Sequence, residues 1–380
     1  MICVIENKKF SLRDVKQASY ISSWGPKEIA DFHETIGNKK TPLVKLPGLA
    51  KRLGIGSLLL KDESHRFGLN AFKALGASYA MYRQIEKNPQ IKTFCTATDG
   101  NHGRAVAWMA RKLGRKALIY MPQGTVPTRV RAIEQEGADV FVIDHAYDIA
   151  VKMASTRVDE ANKKSGNHFW SLIQDTAWDG YEEIPSDIMK GYCTQIHEIT
   201  DQIGKEKIDV LFLQTGVGSW AASIIGYIMK EWQNPPACIS VEPHSANCLF
   251  ESIKTGNRVS VENNETTTMA GLNCGSVSTL GWQILKNGLV GSISISDKLS
   301  EEAMMTLASP VSGDPVIISG ESGASGLGAL IGLCKTHEFN SFKEKICLNK
   351  TSTVLVINTE GDTDRSNYKQ VVTDNIENNF

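Results

Sequence analysis

Short apolar runs rich in β-branched residues recur along the chain, and between them apolar positions return every three or four residues. The runs lie at 57–60, 93–97, 117–121, 140–143, 210–214, 238–241, 316–319 and 354–357. Each is short enough to predict a buried strand. Between them, residues 102–113 place Val106, Met109, Ala110 and Leu113 at helical spacing, so that they line one face. In 127–137, Pro127 suits a helix start, Val130, Ile133 and Glu134 follow, and Gly137 suits the end. Strands alternating with helices predict βαβ units and an α/β fold whose mostly parallel sheet is covered on both faces. Ligands of such sheets bind beyond the carboxyl ends of the strands, so the strand-to-helix turns are the places to look for chemistry.

A length of 380 residues suits one large domain carrying a smaller one, and no repeat or long linker interrupts the pattern. Hydrophobic residues make up 41% and charged residues 22%, the balance of an ordinary globular enzyme. A formal net charge of −1 argues against a nucleic-acid partner, whose phosphates demand a basic surface. The opening MICVIENKKFSLRD has only a brief apolar stretch where a secretory signal needs about 7–15 residues. No segment approaches the ~20 apolar residues of a membrane span. The eight cysteines, at 3, 95, 193, 238, 248, 274, 334 and 347, form no C-x-x-C pair. Zinc or dithiol chemistry is therefore not indicated, no metal is expected, and free thiols in a reducing, cytoplasmic setting are the default. Cys248 and Cys274 would bridge only if the fold brought them together.

Four turns carry candidate chemistry. In 70–77, NAFKALGA, Lys73 opens a helix among Ala, Phe and Leu. Desolvation there lowers a lysine pKa, and a neutral amine is what condenses with an aldehyde. A lysine snorkelling at the surface is the plainer reading. In 98–103, Thr98, Asp99, Gly100, Asn101, His102 and Gly103 follow a strand and precede a helix. The glycines free backbone N–H groups to hold a carboxylate, Asn101 can donate to a phenolic oxygen, and Asp99 can accept a proton. A capped Asx turn would look similar. The third turn, Thr215, Gly216, Val217, Gly218 and Ser219, makes an anion site where a helix begins. Gly216, Gly218 and Ala221, with Glu242 some twenty residues on, also fit a dinucleotide fingerprint. The fourth, from Asn358 and Thr359 to Asp364, offers a polar group for a ring nitrogen, or is simply a solvated turn.

The set decides more than any single turn. A nicotinamide dinucleotide explains the third and leaves Lys73 and Asn101 idle. Pyridoxal 5′-phosphate uses all four: an amine for its aldehyde, an amide for its ring oxygen, backbone N–H groups for its phosphate and a polar group for its ring nitrogen.

These residues, in this order, resemble the fold-type II pyridoxal-phosphate enzymes of the tryptophan synthase β and threonine dehydratase group. The stretches KDESHRFGLNAFKALGASYA, TDGNHGRAVAW, IYMP, QDTAWDGYEEIP, MAGLNCG, LGW, ISGESGASGLG and NTEGDTD resemble the diaminopropionate ammonia-lyase family in particular, and run from about residue 41 to 364. The resemblance implies two domains, each a mostly parallel sheet flanked by helices. Residues 1–85 and 176–380 would form the large cofactor-binding domain and 86–175 a small mobile one. It also implies a homodimer and a small amino acid as substrate.

Carried over by position, the resemblance makes Lys73 the Schiff-base lysine, with Phe72 beside it, and Asn101 the ring-oxygen partner. Gly216, Val217, Gly218 and Ser219 become the phosphate cradle, and Asn358 or Thr359 the neighbour of the pyridine nitrogen. Thr98, Asp99, His102 and Asp175 would meet the substrate. Related dehydratases and racemases carry serine where this chain has Asp99. A carboxylate there is a stronger base on the face opposite Lys73, which suits an enzyme taking both D- and L-2,3-diaminopropionate. Asp175 would suit the substrate's distal ammonium. The expected reaction is elimination to pyruvate and ammonia. The rivals are a serine or threonine dehydratase, an NAD-dependent oxidoreductase and a non-catalytic amino-acid-binding relative.

Overall fold

The computed structural model describes residues 1–16, 24–262 and 266–374. Its strands are β1 (Ile2–Glu6), β2 (Leu43–Lys45), β3 (Ser57–Asp62), β4 (Thr93–Ala97), β5 (Lys116–Met121), β6 (Asp139–Val142), β7 (Trp170–Leu172), β8 (Val210–Gln214), β9 (Ala237–Pro243), β10 (Gly291–Ile295) and β11 (Thr353–Asn358). They form a seven-stranded sheet in the order β1-β10-β9-β8-β11-β3-β2 and a four-stranded sheet in the order β6-β5-β4-β7. The smaller sheet is parallel throughout. In the larger one only the edge strands β1 and β2 run antiparallel to their neighbours. β4, β8 and β10 are buried along their whole length, as strands covered by helices on both faces must be.

Helix Glu321–Lys335 lies against β8 and β11 of the large sheet. Helix Ala74–Lys87 lies on helix Glu183–Ile203 with almost no space between backbones. A Cβ on Gly76 would stand 2.5 Å from Tyr192 Cε1, and one on Gly191 would stand 2.4 Å from the carbonyl oxygen of Leu75. Only glycine permits that approach, which sets the height of the helix that Lys73 opens.

The expected helices at 102–113 and 127–137 appear as Asn101–Lys112 and Pro127–Glu134, with Gly137 in the left-handed region at φ +89°. The strand expected at 316–319 is absent. Val316 and Ile318 are 65% and 45% exposed, and the amide of Ile317 donates to the carbonyl of Leu307 rather than to a strand. The run has the β-branched composition of a strand, but the large sheet is complete without it. All eight cysteines are free thiols, Cys248 and Cys274 included. Among the described residues no helix is long and apolar enough to cross a membrane.

Candidate active site

Lys73 is presented by a loop that the protein holds under constraint. β3 ends at Asp62, and the following residues pass through left-handed backbone at Phe67 (φ +52°), Gly68 (φ +72°) and Asn70 (φ +58°). Beneath them the buried guanidinium of Arg66 donates to Glu63 Oε2 at 2.7 Å and to both oxygens of Glu198 at 2.7 and 2.8 Å. Glu198 also accepts from Lys61 Nζ at 2.8 Å. Two cations thus balance two carboxylates, the condition under which a buried ionic cluster is tolerated. Backbone bonds from Phe72 to Thr359 and from Gly361 to Asn70 tie the loop to the end of β11.

Lys73 Nζ lies 2.6 Å from Asp175 Oδ2, and 5.4 and 5.9 Å from the ring centroids of Phe72 and Tyr192. Burial alone would depress the ammonium, as the apolar neighbours suggested. The carboxylate of Asp175 outweighs it, and the Lys73 pKa is raised instead. That corrects the expectation of a depressed amine: an ion pair buried with its partner favours the charged form. Asp175, pushed up by its own burial but held down more strongly by Lys73, stays ionised to about pH 2.

After β4, Thr98 Oγ1 accepts the backbone N–H groups of Gly100 and Gly103 at 2.9 and 3.1 Å, which shapes the turn. His102 Nε2 donates to the carbonyl of Ile173 at 2.7 Å, leaving Nδ1 without a protein partner. Burial lowers its pKa, which favours the neutral ring. Asn101 Nδ2 donates to Glu360 Oε2, whose other oxygen accepts from the amide of Ser322 at 3.1 Å. Burial raises the Asp99 carboxyl to about 7, against the pull of Arg129 and with the help of Asp175.

After β8, Gly218 at φ +88° caps helix Ser219–Glu231 with no side-chain hydrogen bond to the first turn. The helix-end amides are therefore open to an anion, which a helix N-terminus favours. The Ser219 hydroxyl donates to the carbonyl of Asp175 at 2.6 Å, so its share in an anion cradle is its backbone. Glu242 takes no part. It is buried elsewhere, accepting the amides of Leu249 and Phe250 at 2.8 and 2.6 Å and so capping helix Cys248–Thr255. The acid on which a dinucleotide site would depend is structural.

Asn358 also departs from expectation. Its amide donates to Asp62 Oδ1 at 2.8 Å and to the carbonyl of Ile318 at 2.9 Å, and its oxygen accepts from Ser319 Oγ at 2.7 Å. It is a tie between the ends of β3 and β11, with both of its N–H donors engaged. Thr359 faces the cavity instead, its hydroxyl accepting from Gln214 Nε2 at 2.9 Å.

The cavity bounded by these turns encloses about 840 Å³, open solvent at its mouth included. Phe72, Lys73, Thr98, Asp99, Asn101, His102, Asp175, Gly216, Val217, Gly218, Ser219 and Thr359 all line it. Arg129, Tyr147 and Glu360 line it as well, none of them singled out from the sequence, and so does Cys274, read there only as a possible disulfide partner. Glu360 stood within reach, one residue past Thr359 in the NTEGDTD stretch. Arg129 and Tyr147 sit in and at the start of helices with no turn signal to mark them.

The family described as "Pyridoxal-phosphate dependent enzyme" matches residues 35–360. Diaminopropionate ammonia-lyase of Escherichia coli K12 is 43% identical over 90% of this chain and 89% of its own. The chain belongs to the pyridoxal-phosphate dependent enzymes, in the diaminopropionate ammonia-lyase family. A crystal structure of the E. coli protein, in complex with an aminoacrylate-PLP azomethine reaction intermediate, matches this pyridoxal-phosphate enzyme with a TM-score of 0.89 and 40% identity, covering 99% of this chain and 97% of that one. A chloroplastic threonine dehydratase of Solanum lycopersicum is 30% identical over only 59% of this chain and 34% of its own.

Pyridoxal 5′-phosphate is the cofactor, and the residues present fit it. An amine at one wall, uncapped helix amides at the Gly216–Ser219 turn and a side-chain amide at Asn101 supply three of its four polar needs. The fold-type II expectation holds.

Proposed function

We propose that this enzyme eliminates ammonia from D- and L-2,3-diaminopropionate, giving pyruvate and a second ammonia once the released enamine is hydrolysed. The observation that carries the reading is the Lys73–Asp175 pair at 2.6 Å. When Lys73 bonds the cofactor aldehyde, the buried carboxylate of Asp175 is left with room for one other cation, and the distal ammonium of diaminopropionate is such a cation. Serine and threonine offer none, so a dehydratase has no use for Asp175.

The bound cofactor supplies an electron sink for the pair left when Cα loses its proton. Lys73 serves as the base on one face, for the L-substrate, and Asp99 as the base on the other, for the D-substrate. Asn101 directs its amide to the ring oxygen. The amides of Gly216, Val217, Gly218 and Ser219 hold the phosphate. Thr359, a neutral neighbour, leaves the pyridine nitrogen unprotonated. Thr98 and His102 shape the pocket for the substrate. We further propose that 86–175 moves as a small domain to exclude water, and that the working form is a cytoplasmic homodimer.

The test is an absorption spectrum of the purified protein, titrated with each enantiomer while pyruvate is assayed. A visible cofactor band that shifts on addition, with pyruvate formed, is expected. Pyruvate or 2-oxobutanoate from serine or threonine, and none from diaminopropionate, would transfer the enzyme to the dehydratases.

A further inference from the structure

Arg129 lies on helix Pro127–Glu134, is 8% exposed and lines the cavity. Among the described residues it makes no ion pair. Its Nη1 reaches only the backbone oxygen of Asp99, at 3.4 Å, and its Nε is buried without a hydrogen-bond partner. Its aliphatic stem is pressed on the active-site turn, since a Cβ on Gly100 would stand 3.0 Å from Arg129 Cδ. A buried guanidinium so poorly paired is costly, and its placement beside Asp99 indicates what it is kept for.

The charged groups facing Asp99 are Arg129, Asp175, Lys73 and Asp148, with Tyr147 and Cys274 as further titratable neighbours. Arg129 and Lys73 are the two cations of that set. Lys73 must be neutral to bond the cofactor, so its charge changes during turnover. A guanidinium keeps its charge throughout. Asp175 and Asp148 oppose ionisation of Asp99.

We propose that Arg129 is a positioning residue for one half of the reaction, holding Asp99 as the carboxylate that removes the Cα proton of the D-substrate. The proton passes to an Asp99 oxygen and the C–H electron pair stays on the substrate until the β C–N bond breaks. The inference rests on Asp99 being the base for the D-enantiomer. Arg129 adds a second requirement, that the base be kept ionised by a charge outside the reacting groups.

The experiment measures kcat/KM against pH for both enantiomers in the holoenzyme, for the wild type, R129Q, R129K and D99N. In R129Q the acid limb for the D-substrate should move up by about a unit, so that the D-to-L ratio of kcat/KM falls by about fivefold at pH 7 and approaches about tenfold at lower pH, the population change that such a shift produces. R129K, which keeps the charge, should retain most of the ratio. Equal losses for both enantiomers through a raised KM would overturn the proposal and make Arg129 an anchor for the substrate carboxylate. An unmoved D limb would also overturn it. If R129Q loses the cofactor band, R129K decides alone, because collapse of the ratio with the charge retained is incompatible with the role. Pyruvate from neither enantiomer in the wild type would reject the proposed function itself. D-turnover surviving in D99N would remove the foundation of this inference while leaving that function standing.

Discussion

Lys73 Nζ and Asp175 Oδ2 stand 2.6 Å apart, so the amine proposed to bond the cofactor and the carboxylate proposed for the substrate's distal ammonium contend for one place. On the proposed function Asp175 meets a cation at each stage, first the protein's own and then the substrate's. Asp175→Asn should lower kcat/KM for diaminopropionate by about thirtyfold or more, the loss expected on truncating one partner of a buried charge pair. Any slow turnover of serine should suffer less. Steady-state kinetics on both substrates tests this, and equal losses would detach Asp175 from the distal ammonium.

Lys73→Ala should abolish turnover of both enantiomers and remove the visible cofactor band, since no other amine lines the cavity among the described residues. Spectra and pyruvate assays on one preparation check both outcomes.

The Asp99 carboxyl is raised to about 7 by burial, with Arg129 opposing. A base must be unprotonated to act, so turnover of the D-substrate should be present above about pH 7 and fall as the pH drops through it. Asp99→Asn should remove D-turnover and leave the L-substrate as the better one. Parallel pH profiles for the two enantiomers would count against separate bases.

Gly218 combines a φ of +88° with a near neighbour, since a Cβ there would meet Leu285 Cδ1 at 2.7 Å. Gly218→Ala should cost about 1–3 kcal/mol of backbone strain, expressed where the helix amides converge. Titration of the apoprotein with pyridoxal phosphate should show affinity weakened by roughly tenfold. An unchanged Kd would place the phosphate elsewhere.

Glu242 tests a stability effect separate from catalysis. Burial raises its carboxyl from 4.5 to about 8, against the two amides it accepts. A raised folded-state pKa means the contribution is complete below pH 4.5 and is lost as pH rises through 8. Glu242→Gln, which cannot ionise, should flatten that fall in urea denaturation between those limits and leave turnover unchanged.

The core strands β3, β4, β5, β8, β9 and β11 were legible because a strand buried on both faces must be an apolar run. β10 was not, because GSISI alternates serine with isoleucine and buries both faces; Ser292 is satisfied across the sheet by the Ser240 hydroxyl at 2.7 Å. Alternation read alone would send those serines to solvent. The short edge strands β1 and β2 carry too little pattern to stand out. Within the site, residues at strand ends announced themselves through glycines and caps. Arg129 reaches the cavity from the first turn of helix Pro127–Glu134, and its burial depends on a packing angle that no local spacing encodes. Asn358 misled for the opposite reason: it stands at a strand end, where ligands gather, but the neighbouring strand end takes its amide.

That tie has a consequence for the order of events in synthesis. Asn358 and Asp62 are 296 residues apart in the chain, and the loop carrying Lys73 is fastened to the same late segment at Thr359 and Gly361. A growing chain holds its lysine long before it holds the strand that seats it. A truncated product lacking β11 should therefore show no visible cofactor band, however much of the remaining sheet it has assembled.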